Sequence, residues 1–270
     1  MTGATGSDGV KSVRRALELL QLLGQQQEEG LGVSALARRA GLAVSTTHRL
    51  LTTLEAQGFA QCDPDTASWS VGRAAFAVGA AYGRRHSFTG PALPFLRRLR
   101  DQTHETANLG ILDRDRLVTI SQVESREIVR AIAPPGGQAP IFCSGMGKAL
   151  LATWPDAEIT ALVARVGLPP MTPRSLVTTE AVLTDMARVR QRGYALDDEE
   201  HVPGLRCVAA VVWAPSAEPA CAISISGLAA RLTRDRLDQA GQQVREAARQ
   251  LTERLGGVAP PGALGEPKPD

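Results

Sequence analysis

Apolar residues recur at helical spacing through the front of the chain, then give way to short alternating or continuous runs. Val13, Leu17, Leu20 and Leu23 predict a helix from Ser12 to about Gln26, with Ser12 as its N-cap. Gln25 to Gly32 is polar and reads as a loop. Ser34 to Ala40 predicts a short second helix, ended by Gly41. Val44 to about Gln57 predicts a third, with Thr47, Leu50, Leu51 and Leu54 inward and Ser45 placed to cap it. Two short extended runs then flank the turn formers Asp63, Pro64 and Asp65, which is a hairpin signal. Arg73 to about His86 is Ala-rich and helical, and Gly90 and Pro91 break it.

Helices and strands mix beyond that point. Pro91 to about Thr103 is helical; Ala107–Leu112 and Leu117–Val123 are strands around Asp113-Arg114-Asp115; Val129–Ala133 is extended. Gly145 to Ala152, Asp156–Val166, Thr179–Arg192 and Arg234–Leu255 are helices, and Cys207–Trp213 and Ala220–Ile225 are buried strands by composition. The fold class is α+β, and no internal repeat is visible.

The 270 residues allow one large or two smaller domains. Apolar residues at 43% and charged residues at 21% argue against wholesale disorder, and aromatics at 4% require aliphatic cores. Neither a secretory signal nor an apolar run long enough to cross a bilayer is expected, so no membrane partner is expected either. Cys62, Cys143, Cys207 and Cys221 are scattered, which disfavours a zinc ribbon or disulfide scaffold and suits a cytoplasmic location. The net charge of +2 is uneven: residues 1–100 carry 12 Lys+Arg and 7 Asp+Glu, residues 101–270 carry 18 and 21. That split suggests polyanion contact in front and another task behind. Residues 1–73 alone are neutral, with seven charges of each sign.

Three helices with a Gly turn and a hairpin make a winged helix-turn-helix. Its third helix would show Ser45, Thr46, His48, Arg49 and Thr53 outward, the short polar residues at the N-terminal end where a recognition helix meets base edges. Arg49 is the leading candidate for base or phosphate contact. An ordinary three-helix bundle with a hairpin would show the same spacing. In the rear, Gly145-Met-Gly147 opening a helix offers free N–H groups to a carboxylate. Ser224 and Ser226 share one face of a strand, and Cys207 begins a neighbouring one. Such residues suit a pocket for a two- or three-carbon acid; equally, alternate serines line solvent faces and a buried Cys acts as a small hydrophobe. Catalysis is set aside. A phosphate loop needs Gly at 142 and Ser or Thr at 149, where Phe142 and Ala149 stand, and Asp197-Asp-Glu-Glu-His201 lacks metal-site spacing and reads as solvated surface.

Several segments together resemble the IclR-type transcriptional regulators. They are Ser12-Val-Arg-Arg-Ala-Leu17, Leu36-Ala37, Gly41-Leu42, Ser45-Thr-Thr-His-Arg-Leu-Leu51 and Gly58-Phe59 in front. Behind are Glu105-Thr-Ala-Asn-Leu109, Ser144-Gly-Met-Gly-Lys-Ala149, Gly193-Tyr-Ala-Leu-Asp-Asp-Glu-Glu200, Gly204-Leu-Arg-Cys-Val-Ala209 and Ile223-Ser-Ile-Ser-Gly227. The resemblance implies a tail at 1–10, a winged helix-turn-helix at 11–73, a linker helix at 74–89, a GAF-like effector-binding domain at 90–256 and a frayed tail at 257–270. It implies dimers, or dimers of dimers, on palindromic double-stranded operators, more as repressors than activators. The rear motifs are most similar to members sensing glyoxylate and related small keto acids. In those the ligand carboxylate meets backbone amides matching Gly145 and Met146; acid and hydroxyl partners match Asp197, Cys207, Ser224 and Ser226, and Leu205 joins the apolar wall. Many relatives have a smaller residue at the Met146 position. No cofactor or metal is expected beyond the effector, glyoxylate first or a pyruvate-like acid.

Overall fold

The computed structural model describes residues 10–25, 30–85 and 88–261. The chain divides into two compact units, residues 1–86 and 87–270.

The first unit runs α1 (Lys11–Gly24), β1 (Leu31–Gly32), α2 (Val33–Ala40), α3 (Val44–Ala56), β2 (Ala60–Cys62), β3 (Ser68–Val71) and α4 (Arg73–Arg85). The three strands form an antiparallel sheet in the order β1-β3-β2, with Leu31 opposite Trp69 and Ala60 opposite Val71. The core is aliphatic, as the low aromatic content requires: Leu19, Leu23, Leu36, Leu51 and Ala60 close around one ring, Trp69. Gly41 ends α2 at φ +64°, and the Leu42 amide returns to Ala37 O at 2.9 Å. A Cβ there would touch nothing within 4 Å, so the backbone conformation asks for glycine, not the space.

Three expectations shift in this unit. Helix α1 starts at Lys11 with Val10 as N-cap, so Ser12 lies inside it. Its buried side carries Leu19 and Leu23, while Val13 and Leu17 are about half exposed. The helix is apolar on two sides, and periodicity alone does not choose between them. Helix α3 is preceded by Ala43 with no side-chain cap, and Ser45 is exposed in its first turn. Part of the expected Gln25–Gly32 loop supplies β1.

The second unit runs α5 (Thr89–Thr103), β4 (Thr106–Asp113), β5 (Arg116–Val123), β6 (Gln138–Pro140), α6 (Gly145–Leu151), α7 (Asp156–Val166), α8 (Thr179–Arg192), β7 (Ala195–Asp198), β8 (Leu205–Trp213), β9 (Pro219–Leu228) and α9 (Arg234–Arg254). Its strands form one antiparallel sheet in the order β6-β5-β4-β9-β8-β7. Alternation divides the sheet residues between two cores. Ala107, Leu109, Val208, Ile223 and Ile225 pack beneath α5 and α9. Ala195, Ala209, Val211 and Ala222 pack beneath α6, α7 and α8.

Val129–Ala133, expected to be extended, pairs with no strand: the β5 edge is taken by β6, and Thr106 Oγ1 and Arg231 Nη1 bind the Ala131 and Val129 carbonyls. One expectation fails here. The acidic run 197–200 is not solvated surface; it closes β7 with Asp197 and Glu200 both 7% exposed. Of the expected C-terminal tail, the Gly257 and Val258 amides bind Thr252 O and Ala214 O, and 262–270 lie outside the described residues. The expected N-terminal tail likewise lies outside them up to residue 9.

Candidate functional site

In the first unit, α3 exposes Ser45, His48, Arg49 and Thr53 and half-buries Thr46, while Thr47 and Leu51 are fully buried. With no side-chain cap, the first-turn amides stay open to an anion. Arg49 has no ion-pair partner among the described residues. His48 stands edge-on to Trp69 of β3, 6.3 Å between ring centres, so it ties the helix to the hairpin. Thr53 Oγ1 donates to Arg49 O at 2.8 Å, which leaves its oxygen as an acceptor only. The hairpin contains neither Lys nor Arg from 59 to 72, and its tip carries Asp63 and Asp65. The Asp65 and Thr66 amides bind Asp63 Oδ1 and hold its carboxyl below the usual range. The exposed basic side chains of this unit stand on the helices instead, among them Arg38 and Arg39 of α2, which the pattern of apolar residues does not single out.

In the second unit, strand register assembles a polar patch on the α6 side of the sheet. Asp197, Cys207, Ser226 and Thr106 stand opposite one another across β7, β8, β9 and β4. One step along lie Ser224, Asn108 and Gln122. Above them is a cavity of about 260 Å³ whose wall includes Gly145, Met146, Asp197, Leu205, Cys207 and Ser226. Ser224 is fully buried and is not part of that wall.

Asn108 organises the patch. Its Nδ2 donates to Ser226 Oγ at 3.2 Å and Ser224 Oγ at 3.4 Å, while Gln122 Nε2 donates to its Oδ1 at 3.0 Å. Each serine oxygen thus accepts from Asn108 and has its proton free to donate elsewhere. Asn108 lies within the segment Glu105–Leu109, but nothing along the chain reveals that it faces the serines. His201 also lines the cavity, and burial lowers its pKa.

Around the α6 start, Ser144 Oγ accepts from the Gly147 amide. A Cβ at Gly145 would lie 2.9 Å from Cys207 Sγ, so only glycine lets this turn approach the sulfur. Met146 is 4% exposed, and its thioether occupies the space that Gly110 leaves, 3.0 Å from where a Cβ would stand. Much of the added bulk thus goes against β4.

Beneath the cavity, fully buried Lys148 pairs with Glu200 at 2.6 Å and Asp185 at 2.9 Å. Burial alone would depress Lys148, but the two carboxylates outweigh it and hold it above the usual lysine range. Burial, then the neighbouring Glu200 charge, raises Asp197 to about 7. Burial pushes the Cys207 thiol up to about 11 and Cys143 to about 12. Among the described residues no group of His, Cys, Asp and Glu is arranged to hold a metal ion, and no helix is long and apolar enough to cross a membrane.

Known proteins show the same two-part organisation. Residues 12–64 match the IclR helix-turn-helix domain and residues 81–253 the bacterial transcriptional regulator IclR C-terminal family. The chain is 41% identical to the HTH-type transcriptional regulator BhcR of Paracoccus denitrificans, over 98% of this chain and 93% of that one. It is 39% identical to the acetate operon repressor of Salmonella typhimurium, over 95% and 94%. The crystal structure of the Thermotoga maritima IclR is similar with a TM-score of 0.75 at 25% identity, over 91% of this chain and 98% of that one.

Proposed function

The chain belongs to the IclR family of bacterial transcriptional regulators, and from that premise we propose a dimeric repressor whose rear unit binds glyoxylate or a similar small keto acid and so changes its hold on a palindromic operator. As a member it binds DNA through the helix-turn-helix and an effector through the C-terminal domain; it is a regulator, not an enzyme.

The observation that carries the ligand class is the cavity floor. Ser226 accepts from Asn108 and keeps its proton to donate, beside an acid and a thiol, under about 260 Å³ of space. Oriented donors in a small cavity favour a compact, oxygen-rich anion. In this reading the carboxylate meets the Gly145 and Met146 amides, Ser226, Asp197 and Cys207 meet the remaining oxygen, and Ser224 acts through Asn108. The name of the Salmonella relative, an acetate operon repressor, supports both repression and a two-carbon setting. Recognition rests on Ser45, Thr46, His48 and Arg49, with Thr53 as an acceptor.

Effector binding must differ between two states of the protein to regulate it. Ser224→Ala with Ser226→Ala is expected to remove the effector response and leave effector-free operator binding intact. Gel shift with and without glyoxylate measures both. Absence of heat and of any thermal shift with glyoxylate would sink the ligand assignment. Pyruvate and an aromatic acid belong in the same panel, because Leu117, Ile132, Val202 and Leu205 give the cavity an apolar side.

A further inference from the structure

Hydroxyls and amides serve any small acid, but the cavity also presents a thiol. Cys207 stands mid-row between Asp197 and Ser226, with the Gly145 turn against its sulfur. Burial and the Asp197 charge push the thiol up to about 11, and hydrogen bonds from Ser226 and Ser224 offset only part of this, so the sulfur needs a base beside it to react. Opposite it, Asp197 Oδ1 is committed, accepting from the Glu200 amide at 2.8 Å and the His201 amide at 3.4 Å. The residue is only 7% exposed yet lines the cavity, so its second oxygen, Oδ2, is left to exchange a proton or to accept from a ligand donor there.

We propose that Cys207 captures the effector covalently, adding its sulfur to the aldehyde carbon of a small 2-oxo acid to form a reversible hemithioacetal. This rests on the keto-acid reading above. A C–S bond forms as the C=O π bond breaks, and that electron pair goes to the carbonyl oxygen. The thiol proton passes to Asp197 Oδ2 and on to the same oxygen, so nothing is oxidised or reduced and no further reactant is needed. With Asp197 raised to about 7, the carboxyl both takes and returns a proton near neutrality. The new hydroxyl then lies among Asp197 and the serine donors.

The chemistry selects among acids of similar size. An aldehyde carbon is more electrophilic than the ketone carbon of pyruvate, and glycolate has no carbonyl to attack. Cys207→Ser keeps a hydrogen-bonding group but not the sulfur nucleophile. Calorimetry on the full chain is expected to show the ratio of glyoxylate to glycolate affinity falling about tenfold in Cys207→Ser, whatever the variant does to both acids alike; an unchanged ratio overturns covalent capture. Carbon NMR of the wild-type protein with glyoxylate labelled at the aldehyde carbon needs no variant. A protein-bound tetrahedral carbon, distinct from the free hydrate and displaced by glycolate, is the expected signal. Glyoxylate that binds with only aldehyde or hydrate carbon visible overturns covalent capture and leaves the effector assignment standing. Glyoxylate that does not bind at all overturns both.

Discussion

Arg49 and Asp197 show how differently two candidate residues are specified. Arg49 needs only its helix: exposed on α3 and without an ion-pair partner among the described residues, it has its charge available to DNA. Arg49→Ala is expected to weaken operator binding by about 1–3 kcal/mol without altering effector affinity, as fluorescence anisotropy and calorimetry measure separately. Asp197 needs its surroundings, since burial raises it from 3.8 to about 7. A carboxyl raised in the folded state adds stability in full below its unfolded value, and that contribution disappears as pH rises through the folded value. Asp197→Asn keeps the Oδ1 acceptor and removes the titration. Relative to wild type, the variant should gain about 2–3 kcal/mol of stability between about pH 5 and pH 8, read from urea midpoints at the two values. A pH-independent difference would show that Asp197 titrates normally.

At the scale of elements, sequence pattern serves helices better than strands. Asp156–Val166 and Thr179–Arg192 have the bounds their periodicity predicts. Strand β7 is hidden in the pattern because its four residues include two aspartates: Asp198 is paired by Arg174, Arg206 and Arg234 brought from elsewhere, and buried Asp197 accepts from the Glu200 and His201 amides. Val129–Ala133 has strand composition but no free edge to join. The hairpin has the expected form and an acidic tip, and Trp69 ties it to α3 through His48. Asp65→Lys should tighten DNA binding and raise the magnitude of its salt dependence by about one unit of slope, measured by titration at several salt concentrations. An unchanged slope would place the tip away from phosphate.

For the whole molecule, the charge split means something other than its first appearance. The basic stretch after residue 73 crosses the boundary between units. Arg98 binds Gln250 and Arg100 binds Asp101 and the Glu124 carbonyl, so these charges serve the second unit internally. Residues 1–86 keep only 9 Lys+Arg against 7 Asp+Glu. Affinity for a polyanion must then come from where the charges are placed rather than from their number. Val13 and Leu17 of α1, with Val10 just before it, leave an apolar stripe exposed at helical spacing, at 55%, 53% and 67%. A dimer of the proposed kind would have this stripe available to a second copy. Leu17→Asp should shift sedimentation toward monomer and weaken operator binding about a hundredfold; a dimer unaffected by the change would move the interface elsewhere.

By itself the sequence determined the order of the main helices, the Gly41 turn, the outward residues of α3 and the two-part plan, because each depends on neighbours within a few positions. Only the tertiary structure decided which face of α1 is buried, that Asp197 and Glu200 are enclosed, and that Asp197, Cys207 and Ser226 form one row while Ser224 lies behind the wall. Those facts depend on strand register between segments far apart in the chain. A one-residue slip would turn every one of these side chains to the opposite core.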